Sequence, residues 1–298
     1  MSVRTAERRS CCTYGGIYRE ARDALRRAGV SSPELEARLL AQRAAGKTRE
    51  AYIRDGGLPA EARAVKTLRE LTAERLRGAP AAYLVGEWEF YSLPIAVSRD
   101  TLIPRTDTET LAGRAIEILT DAAARGGAGA RVLDLGAGTG CVGLAIAANV
   151  LSARVALADK YAGAAALCGI NAERNALTER AEVIMADALA PPEETLGRFD
   201  LIVCNPPYIP TGDLSALDNS VRDYEPRRAL DGGADGLDFF RAVALHWRAA
   251  MEPGGYLLFE CGAGQSGAVR EILRENGFAD ISATRDTAGH ERVVEGRI

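Results

Sequence analysis

The sequence contains few of the residues from which metal sites and disulfide networks are built. Its 298 residues include only two histidines and six cysteines, and none of the cysteines forms a C-x-x-C pair. Zinc sites need clusters of such side chains, so we expect no bound metal. Scattered single cysteines are typical of reducing compartments, and the sequence therefore predicts a cytoplasmic protein without a disulfide framework.

Long apolar runs and an excess of positive charge are absent as well. No stretch of about 18 uncharged apolar residues occurs, so no membrane span is expected. The N-terminal MSVRTAERRSCC contains arginines without a following apolar segment, which argues against a secretory signal. With 37 Lys and Arg against 41 Asp and Glu, the net charge is −4, so DNA is not an expected partner.

The N-terminal part of the chain has the apolar spacing of helices. Ser32 followed by Pro33 is a helix start signal, and Gly46 is a stop signal. We therefore expect an all-helical N-terminal domain over residues 1–80. The aromatic and β-branched stretch that follows predicts a β-hairpin-like linker over residues 81–103.

The remaining residues, 104–298, alternate short apolar runs with helical stretches. The predicted strands cover residues 131–135, 155–159, 182–187, 200–205 and 255–261. Apolar runs bounded by Gly, Pro and Asp are typical of a parallel sheet buried on both faces. Their alternation with helices predicts a doubly wound α/β domain whose ligand lies beyond the carboxyl ends of the strands.

A glycine-rich loop, DLGAGTG, follows the first of these strands and runs from Asp134 to Gly140. Glycines let the loop turn sharply and let a ligand approach the main chain. Asp159 ends the next predicted strand, where a carboxylate can accept both ribose hydroxyls of a nucleoside. A plain turn is the alternative reading of the glycines alone, but the loop together with Asp159 favours a nucleoside cofactor site.

The spacing of the loop indicates which nucleoside is bound. It reads G-x-G-x-G and not the G-x-G-x-x-G of pyrophosphate binders, and no Walker lysine follows. The loop resembles motif I of class I S-adenosylmethionine (SAM) methyltransferases, and a nicotinamide dehydrogenase is the weaker alternative. The resemblance implies that SAM is bound by Gly136, Ala137, Gly138, Thr139, Gly140, Asp159, Asp187 and Ala188.

Asn205-Pro206-Pro207-Tyr208 follows another predicted strand directly. The prolines fix a stiff turn, so that the Asn205 side-chain oxygen and the Pro206 carbonyl can act together as acceptors. Two such acceptors suit a planar –NH2 group, and Tyr208 offers a flat stacking surface. Asn-Pro can also simply open a turn. The motif [ND]-P-P-[YFW] occurs in methyltransferases that act on planar nitrogens, both adenine N6 and glutamine.

Four longer segments resemble the release factor glutamine methyltransferases of the PrmC/HemK type. They run from Gly86 to Pro94, from Leu102 to Glu109, from Val221 to Leu237 and from Glu291 to Arg297. The resemblance implies a Rossmann-like class I methyltransferase domain preceded by a helical domain that recognises the substrate. It further implies methyl transfer from SAM to the amide nitrogen (N5) of the glutamine in the Gly-Gly-Gln motif of class 1 peptide chain release factors.

The same resemblance assigns roles by position. Asn205, Pro206 and Tyr208 would be catalytic, Asn205 would also touch the cofactor, and Pro207 would help clamp the glutamine. Arg105 could hold a substrate carboxylate or the release factor backbone, with a surface salt bridge as an equal alternative. We expect a monomer.

Two positions depart from the family pattern, and two other functions stay open. Thr106 replaces the second proline of L-I-P-R-P-D-T-E, and we expect it to form a capping box with Glu109. Ala188 stands where an aromatic residue often lies near the adenine. An adenine-N6 nucleic-acid methyltransferase would need a basic recognition region, which the chain lacks. A non-catalytic binding module would be expected to have lost Asn205 or the glycine loop.

Overall fold

A computed structural model describes residues 12–125 and 129–298 of the chain. Most of the arginine-containing N-terminal stretch lies outside these residues. Contacts divide the chain into two units: one runs to Gly86 and includes Asn219–Tyr224, and the other contains Glu87–Asp218 and Glu225–Ile298. Within the described ranges, no helix is long and apolar enough to cross a membrane.

The first unit is helical, as expected. Its helices are α1 (Tyr14–Arg27), α2 (Pro33–Ala45), α3 (Arg49–Arg54), α4 (Ala62–Leu76) and α5 (Ala81–Val85). Pro33 is the first residue of α2, and Gly46 ends it with a φ of 61°. The predicted start and stop signals are therefore confirmed. The apolar faces of these helices meet in a core that includes Ile17, Leu25, Leu40 and Leu68.

The first unit is not continuous in sequence. Asn219–Tyr224 contains one helical turn, Asn219–Arg222, and belongs to this unit by its contacts. The Tyr224 hydroxyl donates a hydrogen bond to the Arg77 carbonyl over 3.2 Å. A segment that follows Asn205-Pro206-Pro207-Tyr208 in sequence is thus part of the helical unit.

The second unit begins with a hairpin, as expected, but the predicted linker over residues 81–103 started too early, because Ala81–Val85 is helix α5 of the first unit. Strands β1 (Glu87–Phe90) and β2 (Leu93–Ala96) are antiparallel. Tyr91 and Ser92 form the two-residue turn with φ values of 50° and 63°. This conformation matches the right-handed twist of the two strands.

A seven-stranded sheet forms the centre of the second unit. Its strands are β3 (Arg131–Leu135), β4 (Arg154–Asp159), β5 (Ala181–Met185), β6 (Phe199–Cys204), β7 (Met251–Glu260), β8 (Ala279–Arg285) and β9 (Glu291–Arg297). They lie in the order β5-β4-β3-β6-β7-β9-β8. The first five strands in this spatial order, from β5 to β7, each run parallel to their neighbours. This arrangement confirms the predicted Rossmann-like α/β fold.

The five predicted strands are the parallel ones, and the sheet contains two further strands, β8 and β9, that were not predicted, while the expected burial on both faces fails at β5. β9 pairs antiparallel with β7 and with β8. A short connection links β8 to β9, and a tight hairpin of this kind can join only antiparallel strands. β5 is an edge strand, and Val183 and Met185 on it are exposed.

Helices cover the sheet and supply most of its core contacts. They are α6 (Glu109–Ala124), α7 (Cys141–Asn149), α8 (Ala162–Arg174), α9 (Asp238–His246) and α10 (Ser266–Glu275). α7 is almost entirely buried because it follows the glycine loop into the interior. On the side of α9 and α10, Trp247, Phe240 and Phe259 are fully buried.

The predicted capping box at the start of α6 is wrong. Residues Thr106–Thr108 form a short 3₁₀ turn, and Thr108 occupies the N-cap position without a side-chain capping bond. The Glu109 carboxylate instead accepts a hydrogen bond from the Tyr91 N–H over 2.9 Å. Glu109 therefore ties the helix to the turn of the β1–β2 hairpin.

Candidate active site

A cavity of about 150 Å³ opens at the carboxyl ends of the parallel strands. Most of the residues predicted for cofactor or substrate line it: Arg105, Gly136, Ala137, Gly138, Thr139, Asp159, Asp187, Ala188, Asn205, Pro206 and Pro207. Gly140 and Tyr208 are not among the lining residues. Two motifs separated by about 65 residues in sequence thus share one cavity, as the topology of the sheet predicts.

The glycine loop forms one wall of the cavity. Gly136, Gly138 and Gly140 have φ values of 76°, 58° and 78°, a region that residues with a Cβ seldom adopt. The N–H groups of Gly136 and Ala137 both donate to the Ala158 carbonyl over 2.9 Å. A Cβ on Gly140 would lie 3.2 Å from the Leu157 side chain, so Gly140 serves turn geometry and packing.

Asp159 is bound to the glycine loop and faces the cavity. Its Oδ2 accepts from the Gly138 N–H over 3.0 Å, and its Oδ1 accepts from the Tyr161 N–H over 2.9 Å. A carboxylate oxygen has two lone pairs, so each oxygen retains one for another donor. Two ribose hydroxyls are donors of the required kind.

Asp134 is a cavity residue that the sequence reasoning did not single out. It is buried in β3, and its Oδ2 accepts from the Gly143 N–H over 2.8 Å. Burial raises the pKa of Asp134 to about 7, although the hydrogen bond from Gly143 opposes the shift. An acid among the apolar residues of strand RVLDL that follow Arg131 was the signal that could have identified it.

Asn205 lies at the opposite wall, directly after β6. Its Nδ2 donates to the Thr108 Oγ1 over 3.2 Å. With the amide nitrogen engaged in this bond, Oδ1 is left as an acceptor for another group. Thr108 also lines the cavity and was not predicted.

Gln265 and two glycines hold the Asn205-to-Tyr208 turn from behind. The Gln265 Nε2 donates to the Tyr208 carbonyl over 2.9 Å. A Cβ on Gly232 would lie 2.8 Å from the Pro207 carbonyl oxygen, and one on Gly236 would lie 2.3 Å from that of Tyr208. The glycine-rich segment after the turn is therefore needed for close backbone packing.

The Tyr208 side chain is half-buried and packs against the sheet core. Burial raises the pKa of its hydroxyl to about 12, so the phenol stays neutral at physiological pH. Its predicted stacking role stays a prediction.

Arg105 lines the cavity with its guanidinium held by a neighbour. Its Nη2 forms an ion pair with Glu225, whose carboxylate is buried. The second oxygen of Glu225 accepts from the Ile103 N–H over 3.1 Å. The ion pair fixes the loop before α6, and the predicted contact of Arg105 with substrate stays a prediction.

The cavity lining near Asp187 combines an ion pair with apolar side chains. Asp187 pairs with Lys160 over 2.8 Å, and Ala188 and Phe239 lie on the cavity wall. The Trp247 Nε1 donates to the Ala188 carbonyl over 3.2 Å. Phe239 is thus an aromatic side chain in a cavity where Ala188 supplies none.

The residue types around the cavity fit a nucleoside cofactor. The cavity offers glycine main chain, which suits the amino-acid portion of such a ligand. Its carboxylate with free lone pairs suits the ribose, and its apolar side chains suit the base. Among the described residues, no cluster of His, Cys, Asp and Glu could hold a metal ion.

Comparisons with known proteins identify both parts of the chain. Residues 17–86 match the PrmC N-terminal domain, and residues 115–219 match the methyltransferase small domain. The release factor glutamine methyltransferase of Geobacter sulfurreducens is 40% identical over 272 residues, 91% of each chain. That of Vibrio cholerae is 38% identical over 96% of each chain.

A solved structure supports the fold. The hMettl16 catalytic domain in complex with a MAT2A 3'UTR hairpin matches with a TM-score of 0.53 and 16% identity, over 76% of this chain and 81% of that one. At this identity the likeness concerns the fold alone.

Proposed function

The chain belongs to the release factor glutamine methyltransferases, and from this premise we propose how its site acts on a glutamine side chain. The enzyme uses SAM as methyl donor. The proposed acceptor is the amide nitrogen (N5) of the glutamine in the Gly-Gly-Gln motif of class 1 peptide chain release factors. The observation that carries the proposal is the Asn205 amide, whose nitrogen is engaged by Thr108 at the cavity wall.

The cofactor is assigned to the wall formed by β3 and β4. Gly136 to Thr139 present main chain, with Gly140 shaping the turn, Asp159 accepts the ribose hydroxyls, and Asp187 and Ala188 border the base. SAM held by these residues would supply the activated methyl group. The free lone pairs of Asp159 and the apolar side chains beside Ala188 support this assignment.

The acceptor nitrogen is assigned to the Asn205-to-Tyr208 turn. The Oδ1 of Asn205 and the carbonyl of Pro206 each accept one N–H of the glutamine amide, while Pro207 and Tyr208 confine it. An amide nitrogen is a weak nucleophile because its lone pair is delocalised. Acceptors that are fixed before the reaction stabilise the positive charge that develops on this nitrogen during methyl transfer.

The helical first unit is proposed to recognise the release factor. All the cavity-lining residues belong to the second unit, which leaves the first free for binding a protein. We propose that the enzyme acts as a monomer in the cytoplasm, where its protein substrate works.

Methyl transfer to defined acceptors tests the proposal. The protein is incubated with radiolabelled SAM and a purified class 1 release factor, and in parallel with duplex DNA. The control acceptor is the same release factor with the motif glutamine replaced by asparagine, whose amide lies one methylene closer to the backbone. Label is expected in the native release factor alone. Equal labelling of the control, or label in DNA, would overturn the proposed acceptor.

A further inference from the structure

Behind Asn205 lies a buried acid that the proposed chemistry does not use directly. Glu260 ends β7 and is 1% exposed. Its Oε2 has no hydrogen-bond partner among the described residues. An unsatisfied buried carboxylate oxygen is costly, and such groups are rare unless they serve a function.

Thr108 connects this acid to Asn205. The Thr108 Oγ1 accepts from the Asn205 Nδ2 over 3.2 Å. Glu260 lies next to Asn205 in the sheet, because the residues just before them, Phe259 and Cys204, are partners in the β6–β7 pairing. The Thr108 hydroxyl lowers the pKa of the Glu260 carboxyl as a side-chain hydrogen-bond donor. A hydroxyl has one proton to donate. When the carboxylate is ionised, the Thr108 O–H donates to Glu260 and the lone pairs of Thr108 remain available for the Asn205 amide.

We propose that Glu260 is a positioning residue for methyl transfer, acting through Thr108 to hold the Asn205 amide with its oxygen towards the acceptor glutamine. The inference rests on the proposed role of Asn205. Asn205, Thr108 and Glu260 then form a directed chain of hydrogen bonds: the Asn205 amide N–H donates to Thr108, and the Thr108 O–H donates to Glu260. Such alignment strengthens the Asn205 oxygen as an acceptor. It also disfavours the flipped amide, which would present N–H groups to the N–H groups of the substrate.

The charge state of Glu260 decides whether the chain is directed. Burial raises the pKa of Glu260 to about 7, while the hydrogen bond from Thr108 opposes the rise. A protonated Glu260 can donate to Thr108 and compete with Asn205 for its lone pairs. The titratable or charged groups that act on Glu260, or on which it acts, are Arg105, Asp107, Cys141, Tyr208, Cys261 and Arg292.

The test uses Glu260→Gln, Thr108→Val, the double variant and the conservative Thr108→Ser in the full-length protein. Each of the first two should lower kcat by roughly tenfold or more, since about 1.4 kcal/mol of lost transition-state stabilisation has this effect. The KM for SAM should stay unchanged. Thr108→Ser keeps the hydroxyl and should restore most of the activity.

The double variant separates positioning from a general structural role. If Glu260 acts through Thr108, adding Glu260→Gln to Thr108→Val should cost nothing further, because the connection is already broken. Losses that multiply would overturn the inference, and so would a fully active Thr108→Val. Should Glu260→Gln fail to fold, the comparison of Thr108→Val with Thr108→Ser still decides.

The pH profile of kcat gives a second readout. In the native enzyme kcat should fall as the pH drops below about 7, because Glu260 takes up a proton. Asp134, whose pKa is also about 7, can contribute to this fall of kcat. This fall of kcat at low pH should be weaker in Thr108→Val, because the protonation of Glu260 can no longer affect Asn205 through Thr108. An identical fall of kcat with pH in the native enzyme and in Thr108→Val would overturn the inference.

Two controls complete the design. Thr72→Val removes another buried hydroxyl, which donates to the Leu68 carbonyl over 2.7 Å in the first unit, and should leave kcat unchanged. Asn205→Ala distinguishes a failure of the proposed function from a failure of the inference about Glu260. If it retains full activity, the proposed function of the turn is wrong. If it is inactive while Thr108→Val and Glu260→Gln are fully active, only the role of Glu260 is wrong.

Discussion

At the scale of single residues, the side chains of the cavity wall are held by bonds within the protein. Asn205 donates to Thr108, Arg105 pairs with Glu225, and Asp159 accepts two main-chain N–H groups. Groups fixed in this way need little reorganisation when a ligand arrives, and this favours stabilisation of the transition state. Single substitutions in the wall should therefore affect function more than folding.

Replacing Asn205 should affect turnover far more than substrate affinity. Its acceptor role grows as positive charge develops on the glutamine nitrogen, so its loss acts on kcat. Asn205→Ala should lower kcat on a release factor by about 10²–10³. Asn205→Asp retains an acceptor oxygen and should be more active than the alanine variant. Steady-state kinetics measure both, and an aspartate variant no better than alanine would mean that the amide N–H is the important group.

Replacing Asp159 should weaken cofactor binding. Asp159→Ala removes the two proposed ribose contacts, and hydrogen bonds to a charged group contribute about 1.5–3 kcal/mol. One such bond already accounts for roughly a tenfold to hundredfold change, so the dissociation constant for SAM should rise at least this much in a calorimetric titration. Asp159→Asn keeps one oxygen as an acceptor and should lie between the native protein and the alanine variant. Native affinity in the alanine variant would show that this acid does not face the ribose.

At the scale of elements, helix α8 joins the β1–β2 hairpin to the glycine loop. Asn171 in α8 is fully buried. Its Nδ2 donates to the carbonyls of Ala96 and Thr139 over 3.0 and 2.9 Å, and its Oδ1 accepts from the Ala96 N–H over 2.7 Å. One side chain thus satisfies main-chain groups of the strand end and of the cofactor loop.

Asn171→Ala should destabilise the protein and weaken SAM binding together. Each buried polar group left without a partner costs about 1–3 kcal/mol, so the free energy of unfolding should fall by roughly 2–3 kcal/mol or more. Urea denaturation measures this change. The matched control is Asn175→Ala, at the C-cap of α8, whose Nδ2 donates to the Pro94 and Asn171 carbonyls from a more exposed position. A similar loss of unfolding free energy in both variants would show that the hydrogen bond from Asn171 to the glycine loop adds no stability of its own.

Local signals explain which elements could be predicted from the sequence. The glycine loop, the Asn205-to-Tyr208 turn and the helix limits at Pro33 and Gly46 depend on neighbouring residues, which the sequence displays directly. β8 and β9 carry many charged and polar residues, so their strand character depends on pairing with β7.

The supporting contacts of the site could not be predicted in the same way. Thr108 meets Asn205 across 97 positions, and Arg105 meets Glu225 across 120. Such pairs follow only from the order of strands in the sheet, which local patterns do not specify. The same reason explains the capping-box error, since Glu109 bonds to Tyr91 in the hairpin.

At the scale of the whole molecule, recognition and chemistry are assigned to separate units. The cavity-lining residues lie in the second unit, and so do both tryptophans, Trp88 and Trp247. Tryptophan fluorescence therefore reports on the unit that binds the cofactor. The first unit carries Asn219–Tyr224 as well as the N-terminal helices. Removing residues before Gly86 consequently leaves that segment without its partners.

Deleting residues 1–86 should separate the two roles. The remaining chain should bind SAM with native affinity, because the cavity wall is intact. Methylation of an intact release factor should fall by more than tenfold in kcat/KM, whereas methylation of a short peptide around the Gly-Gly-Gln motif should change little. A difference of 1.4 kcal/mol in binding already accounts for a tenfold effect. Tyr224→Phe in the full-length protein is the control, since it removes the hydroxyl that donates to the Arg77 carbonyl while keeping the first unit. If the deletion lowers kcat/KM equally for protein and peptide, the first unit supports the site itself and its role in recognition is wrong.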